Sequence, residues 1–444
     1  MLLIKYMAIK KLTDGSERYI IINSLNAFSG IINEIEKKTI EKWQQEKSIN
    51  VENDQEKVLF CSLKSNGFIV NCKSDEDIEV ERISEECRKT HELLAKKRKK
   101  VVFALTYACN FDCPYCYEKS NCPDQKRVMT KSQIDRVLEI NKGNILSIDL
   151  FGGEPLLPST MEIIEYLFSK APNEEYIVTT NGYYLEDFIP LLKTVNVHHV
   201  MVTLDGRKER HNKSRILKNR EGTYDKIIQG VEKCLKNEIP IRIRMNLTMD
   251  NGEECILLRE ELKEIYSKAY NNGILSFELQ PVFQMGRQHR RELFYKSLYK
   301  LPEGEKRIIS NNTLYYSSYP LLRKIVNPKY VFSPKYCNCD AEENRQIYDP
   351  YGDVYSCIIS LGNKDAVSGT YYPKITENKN SICFRNIESV PTCSRCIYRF
   401  ICGGGCANEN LSKGKTVMDP NCSYMNEQIN LLELIVRKKL EENV

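Results

Sequence analysis

Between residues 101 and 283 the chain alternates short, continuous apolar runs with longer stretches whose apolar residues recur every three or four positions. The runs "VVFALTY" (101–107), "ILSIDLF" (145–151), "YIVTT" (176–180), "HHVMVTL" (198–204), "IPIRIRMNLT" (239–248) and "LSFELQPVF" (275–283) have the length of strands. The stretches between them read as amphipathic helices: "KSQIDRVLEI" capped by Thr130, "STMEIIEYLFSK", "LEDFIPLLKT", "TYDKIIQGVEKCLKN" and "EECILLREELKEIYSKAY". Strict alternation implies parallel strands joined by right-handed crossovers. Six units are too few to close an eight-stranded barrel. The pattern therefore predicts an α/β domain built as an open, partial (β/α)6 barrel. Ligands of such sheets bind at the carboxyl ends of the strands.

The flanks read differently, and the chain divides into residues 1–95, 96–300 and 301–444. In the first region "ERYIIINS" and "GFIVNC" predict short strands around two helices, "AFSGIINEIEKKTIEKWQQE" and "DQEKVLFCSLKSN", a small α+β module. The stretch "RKTHELLAKKRKK" connects it to the barrel, its lysine run reading as a solvated helix end. Residues 284–336 give few signals. From residue 337 onward cysteines and glycines punctuate short segments until an amphipathic helix, "YMNEQINLLELIVRKKLEEN", closes the chain.

Composition narrows the chemistry. Across 444 residues, 41% hydrophobic and 28% charged positions describe an ordinary globular protein. No apolar run is long enough to span a membrane. The lysine-interrupted opening "MLLIKYMAIKKLTDG" makes a poor signal peptide, which predicts a cytoplasmic protein. A net charge of +5 gives no reason to expect a nucleic-acid partner. Eighteen cysteines are the loudest feature. Without export they point to metal or redox work, and with only five histidines the sites must be rich in thiolate, as zinc or iron–sulfur sites are. Cys109, Cys113, Cys116 and Cys122 form one group. Cys337, Cys339, Cys357, Cys383, Cys393, Cys396, Cys402, Cys406 and Cys422 form another. The scattered Cys61, Cys72, Cys87, Cys234 and Cys255 read as small buried apolar side chains.

Cys109-x3-Cys113-x2-Cys116 lies directly after the first barrel strand and offers three thiolates from one loop. A structural zinc would take four ligands, with Cys122 as the fourth. A [4Fe–4S] cluster held by three would keep one iron open. The motif, placed there, resembles the radical S-adenosylmethionine (SAM) enzymes, and "FGGEP" (151–155) after the second strand strengthens the resemblance. It implies that Cys109, Cys113 and Cys116 carry the catalytic cluster, that Gly152, Gly153, Glu154 and Pro155 bind the methionyl amine of SAM, and that the reduced cluster splits SAM to yield a hydrogen-abstracting radical. Tyr115 would then pack on the adenine. "TTNG" (179–182) and "TLDG" (203–206) resemble the next strand ends of the family. There Thr180 and Asn181 would reach the ribose or carboxylate of SAM, and Arg215 its carboxylate. As plain residues, the same positions read equally as turn and cap formers. Cys122 has no counterpart in the motif.

The second group, C339-x12-G352-x4-C357 and then C393-x2-C396-x5-C402-x3-C406-x15-C422, resembles the SPASM extension of radical SAM enzymes. The resemblance implies two auxiliary [4Fe–4S] clusters, three in all. The distal one would take Cys393, Cys396, Cys402 and Cys422. The one nearer the barrel would take Cys339, Cys357 and Cys406, with Cys337 as candidate fourth ligand at an unusually short spacing. Cys383 matches nothing. Two zinc ribbons are the rival reading of the CxxC pairs.

Radical SAM/SPASM proteins act mainly on peptides and proteins. About a hundred residues ahead of the motif resemble the layout of maturases of ribosomally made peptides, in which a winged-helix-like module binds the leader of a precursor as an added strand. The expectation is hydrogen abstraction followed by a thioether or other crosslink, with electrons from a flavodoxin- or ferredoxin-type donor. The alternatives are a sulfatase-type (formylglycine) maturase and a non-catalytic iron–sulfur carrier or scaffold.

Overall fold

The computed structural model describes residues 1–121, 126–248, 251–281, 319–326, 329–339, 341 and 344–442. In the first region β1 (Leu2–Leu3) pairs antiparallel with β5 (Ile69–Val70), and β2 (Met7–Lys11), β3 (Arg18–Asn23) and β4 (Phe28–Asn33) form an antiparallel sheet in that order. Three helices follow: α1 (Glu34–Glu46), α2 (Asp54–Ser65) and α3 (Lys73–Ala95). The sequence expectation of a helix starting near residue 27 is corrected, because Phe28–Asn33 is strand. The helix begins at Glu34 because Asn33 and Glu36 form a capping box: Asn33 Oδ1 accepts from the Glu36 amide at 2.9 Å, and Glu36 Oε2 accepts from the Asn33 amide at 2.8 Å. One face of this sheet buries Tyr19, Ile21 and Ile32 against Ile40 and Trp43 of α1 and Leu59 and Leu63 of α2. The other buries Ile20 and Ile22 against Leu431 and Leu432 of the long terminal helix, Ser423–Glu442.

All six predicted barrel strands form: β6 (Lys99–Thr106), β7 (Ile145–Gly152), β8 (Glu175–Thr180), β9 (Asn196–Thr203), β10 (Ile241–Leu247) and β11 (Leu275–Pro281). They are parallel and adjacent in chain order. Thr130 caps its helix with a capping box to Gln133. Alternate strand residues such as Val101, Phe103, Ile148, Leu150, Val200 and Ile243 bury against the crossover helices in one apolar layer.

The third region joins the same sheet, which the sequence pattern does not announce. β12 (Arg345–Tyr348) pairs in parallel with β6, and β13 (Asp353–Tyr355), β14 (Gly369–Thr370) and β15 (Thr376–Glu377) extend it to ten strands. Ala341, Ile347, Leu361 and Val417 pack on Val102 and Ala104, the face of β6 turned away from the helices. The boundary expected at residues 300 and 301 lies outside the described residues. Among the described residues no helix is long and apolar enough to cross a membrane.

Candidate active site

β6 ends at Thr106 and delivers the cysteine loop at the carboxyl end of the sheet. The loop is fixed by its neighbour β7: the Gly153 amide donates to Thr106 O at 2.9 Å and the Glu154 amide to Ala108 O at 2.8 Å. A Cβ on Gly153 would stand 2.4 Å from both Tyr107 O and Ala108 O. Gly152, at φ 121°, would place one 2.3 Å from Thr106 O. These two glycines therefore admit the backbone of the cysteine loop. On the loop's other side the Asp112 amide donates to Ile216 O at 2.8 Å and the Lys218 amide to Asn110 O at 3.1 Å.

Cys113 is buried, and Cys109 and Cys116 are half-buried. Burial, with nearby Glu154 and Cys113, pushes the Cys109 thiol up to about 12. Burial likewise raises Cys113 and Cys116, and Cys113 feels Cys116 as a neighbour while Arg215 opposes its shift. Three desolvated thiols on one short loop, each near the next, form a soft donor set that a cationic cluster would deprotonate on binding. Among the described residues no three or more His, Cys, Asp or Glu side chains are gathered tightly enough to hold a single metal ion. Three thiols are the donor number of a [4Fe–4S] cluster with one open iron, and one fewer than a structural zinc takes. No described cysteine is in a disulfide, and Cys122 lies outside the described residues.

Glu154 stands just past the end of β7 and is buried. Its Oε1 accepts from the Thr180 hydroxyl at 2.6 Å and the Leu156 amide at 2.8 Å, and its Oε2 from the Asn181 amide at 2.6 Å. Burial raises its proton affinity, while those donors oppose the shift. Thr180 and Asn181 thus hold Glu154. The Asn181 side chain in turn donates to Asn110 Oδ1 at 2.7 Å and lies 3.9 Å from Cys109 Sγ. Pro155 carries the chain away and accepts from the Thr160 hydroxyl at 2.5 Å.

Across the barrel end, Arg215 donates from Nη1 to the Tyr115 hydroxyl at 2.8 Å and lies 5.6 Å over the Phe111 ring. The Tyr115 hydroxyl donates to Asp205, and Asn246 Nδ2 approaches it at 3.4 Å. Pattern reading does not place Asn246 in the site, since a polar residue within a strand carries no signal of its own. Glu118, two residues past Cys116, is also missed: it is buried, Oε2 has no hydrogen-bond partner, and burial beside Glu154 lifts its carboxyl to about 8. Tyr117 is half-buried, and its phenol is raised by desolvation and by the neighbouring Glu118, Cys116 and Cys357. It lies near a thiol of each cysteine group.

In the third region Cys393 feels Cys396 and Cys422, and Cys402 feels Cys393 and Cys396, so these four thiols share one neighbourhood. Arg385, fully buried, donates to Gly405 O at 2.8 Å and to Gly404 O, bracing the turn between Cys402 and Cys406. Asn421 Nδ2 donates to Cys406 O at 2.8 Å. Cys357, half-buried, is raised by burial and hydrogen-bonded by the chain at Ser360 and Ile359, while Cys339 is exposed. Cys337 is buried with Sγ 3.2 Å from His91 Nδ1, and its carbonyl lies against Gly403. The Ser381 hydroxyl stands 3.1 Å from Cys383 Sγ.

The Radical SAM superfamily model matches residues 103–261. A GTP 3',8-cyclase of Clostridium perfringens (strain SM101 / Type A) is 33% identical over 185 residues, covering 40% of this chain and 54% of that protein. One of Nautilia profundicola is 27% identical, covering 38% and 52%. The chain thus spans about half the length of the curated relatives it matches. Streptococcus suis SuiB bound to precursor peptide SuiA superposes with a TM-score of 0.54 at 16% identity, over 95% of this chain and 99% of that one. Native anSMEcpe with bound AdoMet gives 0.51 at 17%, over 78% and 100%. Residues 103–261 therefore match a radical SAM domain, and the chain as a whole shares the fold of SuiB and anSMEcpe.

Proposed function

We propose that this protein is a radical SAM peptide maturase, in which Cys109, Cys113 and Cys116 hold a [4Fe–4S] cluster and the second cysteine group holds two more. When bound, the cluster and SAM together supply a hydrogen-abstracting radical. The observation that carries the reading is the meeting of three desolvated thiols with Glu154 at the carboxyl end of the barrel.

The chain's own residues then have definable tasks. Glu154, oriented by Thr180 and Asn181, presents a carboxylate to the amine of SAM, and charge neutralisation by that amine would lower its raised proton affinity. Gly152 and Gly153 let β7 clasp the cysteine loop. Arg215 and Tyr115 close the opposite side and keep Asp205 hydrogen-bonded. Cys393, Cys396, Cys402 and Cys422 suit the distal auxiliary cluster. Cys339, Cys357 and Cys406, with Cys337 as candidate fourth ligand, suit the other.

The peptide reading rests on the parts outside the barrel. The two GTP 3',8-cyclases compared above match 40% and 38% of the chain, and the likeness to a peptide-bound SuiB extends over 95% of it. Residues 1–95 are read as the leader-binding module. Among the described residues no strand pairs with the outer edge of β4, and an unpaired strand edge is where a peptide can add. A flavodoxin- or ferredoxin-type protein would deliver the electron. The test is anaerobic reconstitution with iron and sulfide, reduction, and incubation with SAM and the small cysteine-rich peptides encoded nearby. The expected result is 5′-deoxyadenosine together with a peptide lighter by two hydrogens per crosslink. Turnover of GTP, with peptides untouched, would overturn the peptide reading.

A further inference from the structure

The interior of a (β/α) barrel is ordinarily filled by branched apolar side chains. Here the wall formed by β9, β10 and β11 is polar apart from Met201. Ile241, Ile243, Met245 and Leu247 of β10 face the crossover helices, so Arg242, Arg244 and Asn246 face inward. On β9, Val200 and Val202 face the helices and His199 faces inward. Arg242 stands opposite Ser276 of β11 and Arg244 opposite Glu278.

This wall is incompletely satisfied. Arg244 pairs with Glu278 at 2.9 Å, yet its Nε is buried with no hydrogen-bond partner. Arg242 forms no ion pair among the described residues, and its Nε reaches only Ser276 Oγ, at 3.5 Å. His199 is 6% exposed and neither ring nitrogen has a partner. Burial and the two nearby guanidiniums keep its imidazole neutral. Buried polar atoms without partners are costly and need an explanation. Here they converge on one wall.

The wall also leads to the reaction site. Arg242, Arg244 and Asn246 lie at every second position of β10, a track about 13 Å long at 3.3 Å per residue. At its upper end Asn246 meets the Tyr115 hydroxyl, beside Cys116. Two guanidiniums and one carboxylate leave this wall with a single positive charge. That matches one carboxylate far better than a triphosphate. On the opposite side Asp149 has Lys100 and Arg345 nearby, with Glu175 as a like charge. Guanidinium forks are suited to carboxylates in two-point contact.

We propose that Arg242, with Arg244 and His199, forms a subsite for a carboxylate of the peptide substrate, an Asp or Glu side chain or the terminal carboxylate, about four extended residues from the modified position. The proposal rests on the peptide reading above and adds the residue type that the substrate must carry. The probes are a pentapeptide with one central Glu, its Gln isostere, and GTP, each added to reconstituted enzyme during arginine modification by phenylglyoxal and read by peptide mapping. The expected result is that the Glu peptide protects Arg242, the Gln peptide does not, and GTP protects only at higher concentration. In direct binding, Arg242→Gln should remove the preference for Glu over Gln, a loss of roughly tenfold or more. Equal protection by the Glu and Gln peptides, or none by either, overturns the subsite, while peptide turnover itself would leave the maturase reading intact. Protection by GTP at lower concentration than the Glu peptide overturns the subsite as a carboxylate site and counts against the peptide reading as well.

Discussion

The Ser24 hydroxyl donates a hydrogen bond to the Ile397 carbonyl, one residue past Cys396. Around it the Tyr6 ring stacks on Phe400 with centroids 6.1 Å apart, and Arg399 donates to Ser84 Oγ at 3.1 Å. Ile83 and Cys87 of α3 bury against Ile387 and Phe400. The N-terminal module therefore grips the segment between Cys396 and Cys402, a connection that gives it a structural task besides any binding role.

This grip predicts the effect of Phe400→Ala. Phe400 is fully buried, and deleting a buried phenyl ring costs about 3–5 kcal/mol. The variant should melt at lower temperature and, after anaerobic reconstitution, hold about one cluster less. Unchanged iron content alongside a lowered melting temperature would show that the grip stabilises the module alone.

Cys113→Ala removes one of the three loop thiols, on the only one of the three cysteines that is buried as a whole residue. We expect 5′-deoxyadenosine formation to fall to background while the second cysteine group retains its iron, since Cys393, Cys396, Cys402 and Cys422 cluster elsewhere. Cleavage of SAM at the normal rate would refute the assignment of the first cluster.

Gly153→Ala tests the clasp between β7 and the cysteine loop. Its Cβ would meet two backbone carbonyls at 2.4 Å, and backbone cannot swing aside as a side chain can. Loading of the first cluster should drop, visible as a reduced SAM-induced change in its EPR signal, with the auxiliary signals kept. A wild-type spectrum would show that the loop can shift without loss.

Asp349 predicts a pH dependence. It is buried, and burial lifts its carboxyl to about 6, although Tyr107, Tyr351 and Asp353 donate to it at 2.9 Å. The folded state thus binds the proton more readily than the unfolded chain, so this group's contribution to stability falls as pH rises from about 4 to 6 and is constant above. Asp349→Asn keeps an oxygen for the two backbone donors and faces a hydroxyl that can turn to accept. It should abolish that slope and leave the variant more stable above about pH 6 by up to about 3 kcal/mol, the linkage energy of a carboxyl that titrates near 6 when folded and near 4 when unfolded. Melting temperatures at about pH 4.5 and about pH 7, compared between the two proteins, check this. An unchanged slope in the variant would assign it to other groups.

Much of the barrel is legible because each strand is buried on its helix-facing side and each helix carries one apolar stripe, so local periodicity and tertiary burial coincide. The same holds for Thr130, whose capping box is written in four consecutive residues. Misreading Phe28–Asn33 as helix has an equally local cause: "FSGII" has no decisive period, and the signal that corrects it is the Asn33–Glu36 box just after it. Glu118, Asn246 and His199 were not legible, because their significance comes from which way a side chain points and what fails to meet it.

The sequence by itself determined the alternation of elements, the cysteine spacing, and the glycines and glutamate placed after the second strand, since all of these are short-range properties of the chain. Only the tertiary structure decided that Gly152 and Gly153 face the cysteine loop's own backbone, that Thr180 and Asn181 orient Glu154, and that β12 from the third region completes the sheet beside β6. It also decided that the two ends of the chain share a core, Ile20 and Ile22 against Leu431 and Leu432. The physical reason is common to all of them. Hydrogen bonds and apolar contacts between residues far apart in the chain depend on the register of whole elements, and no local window of residues encodes that register.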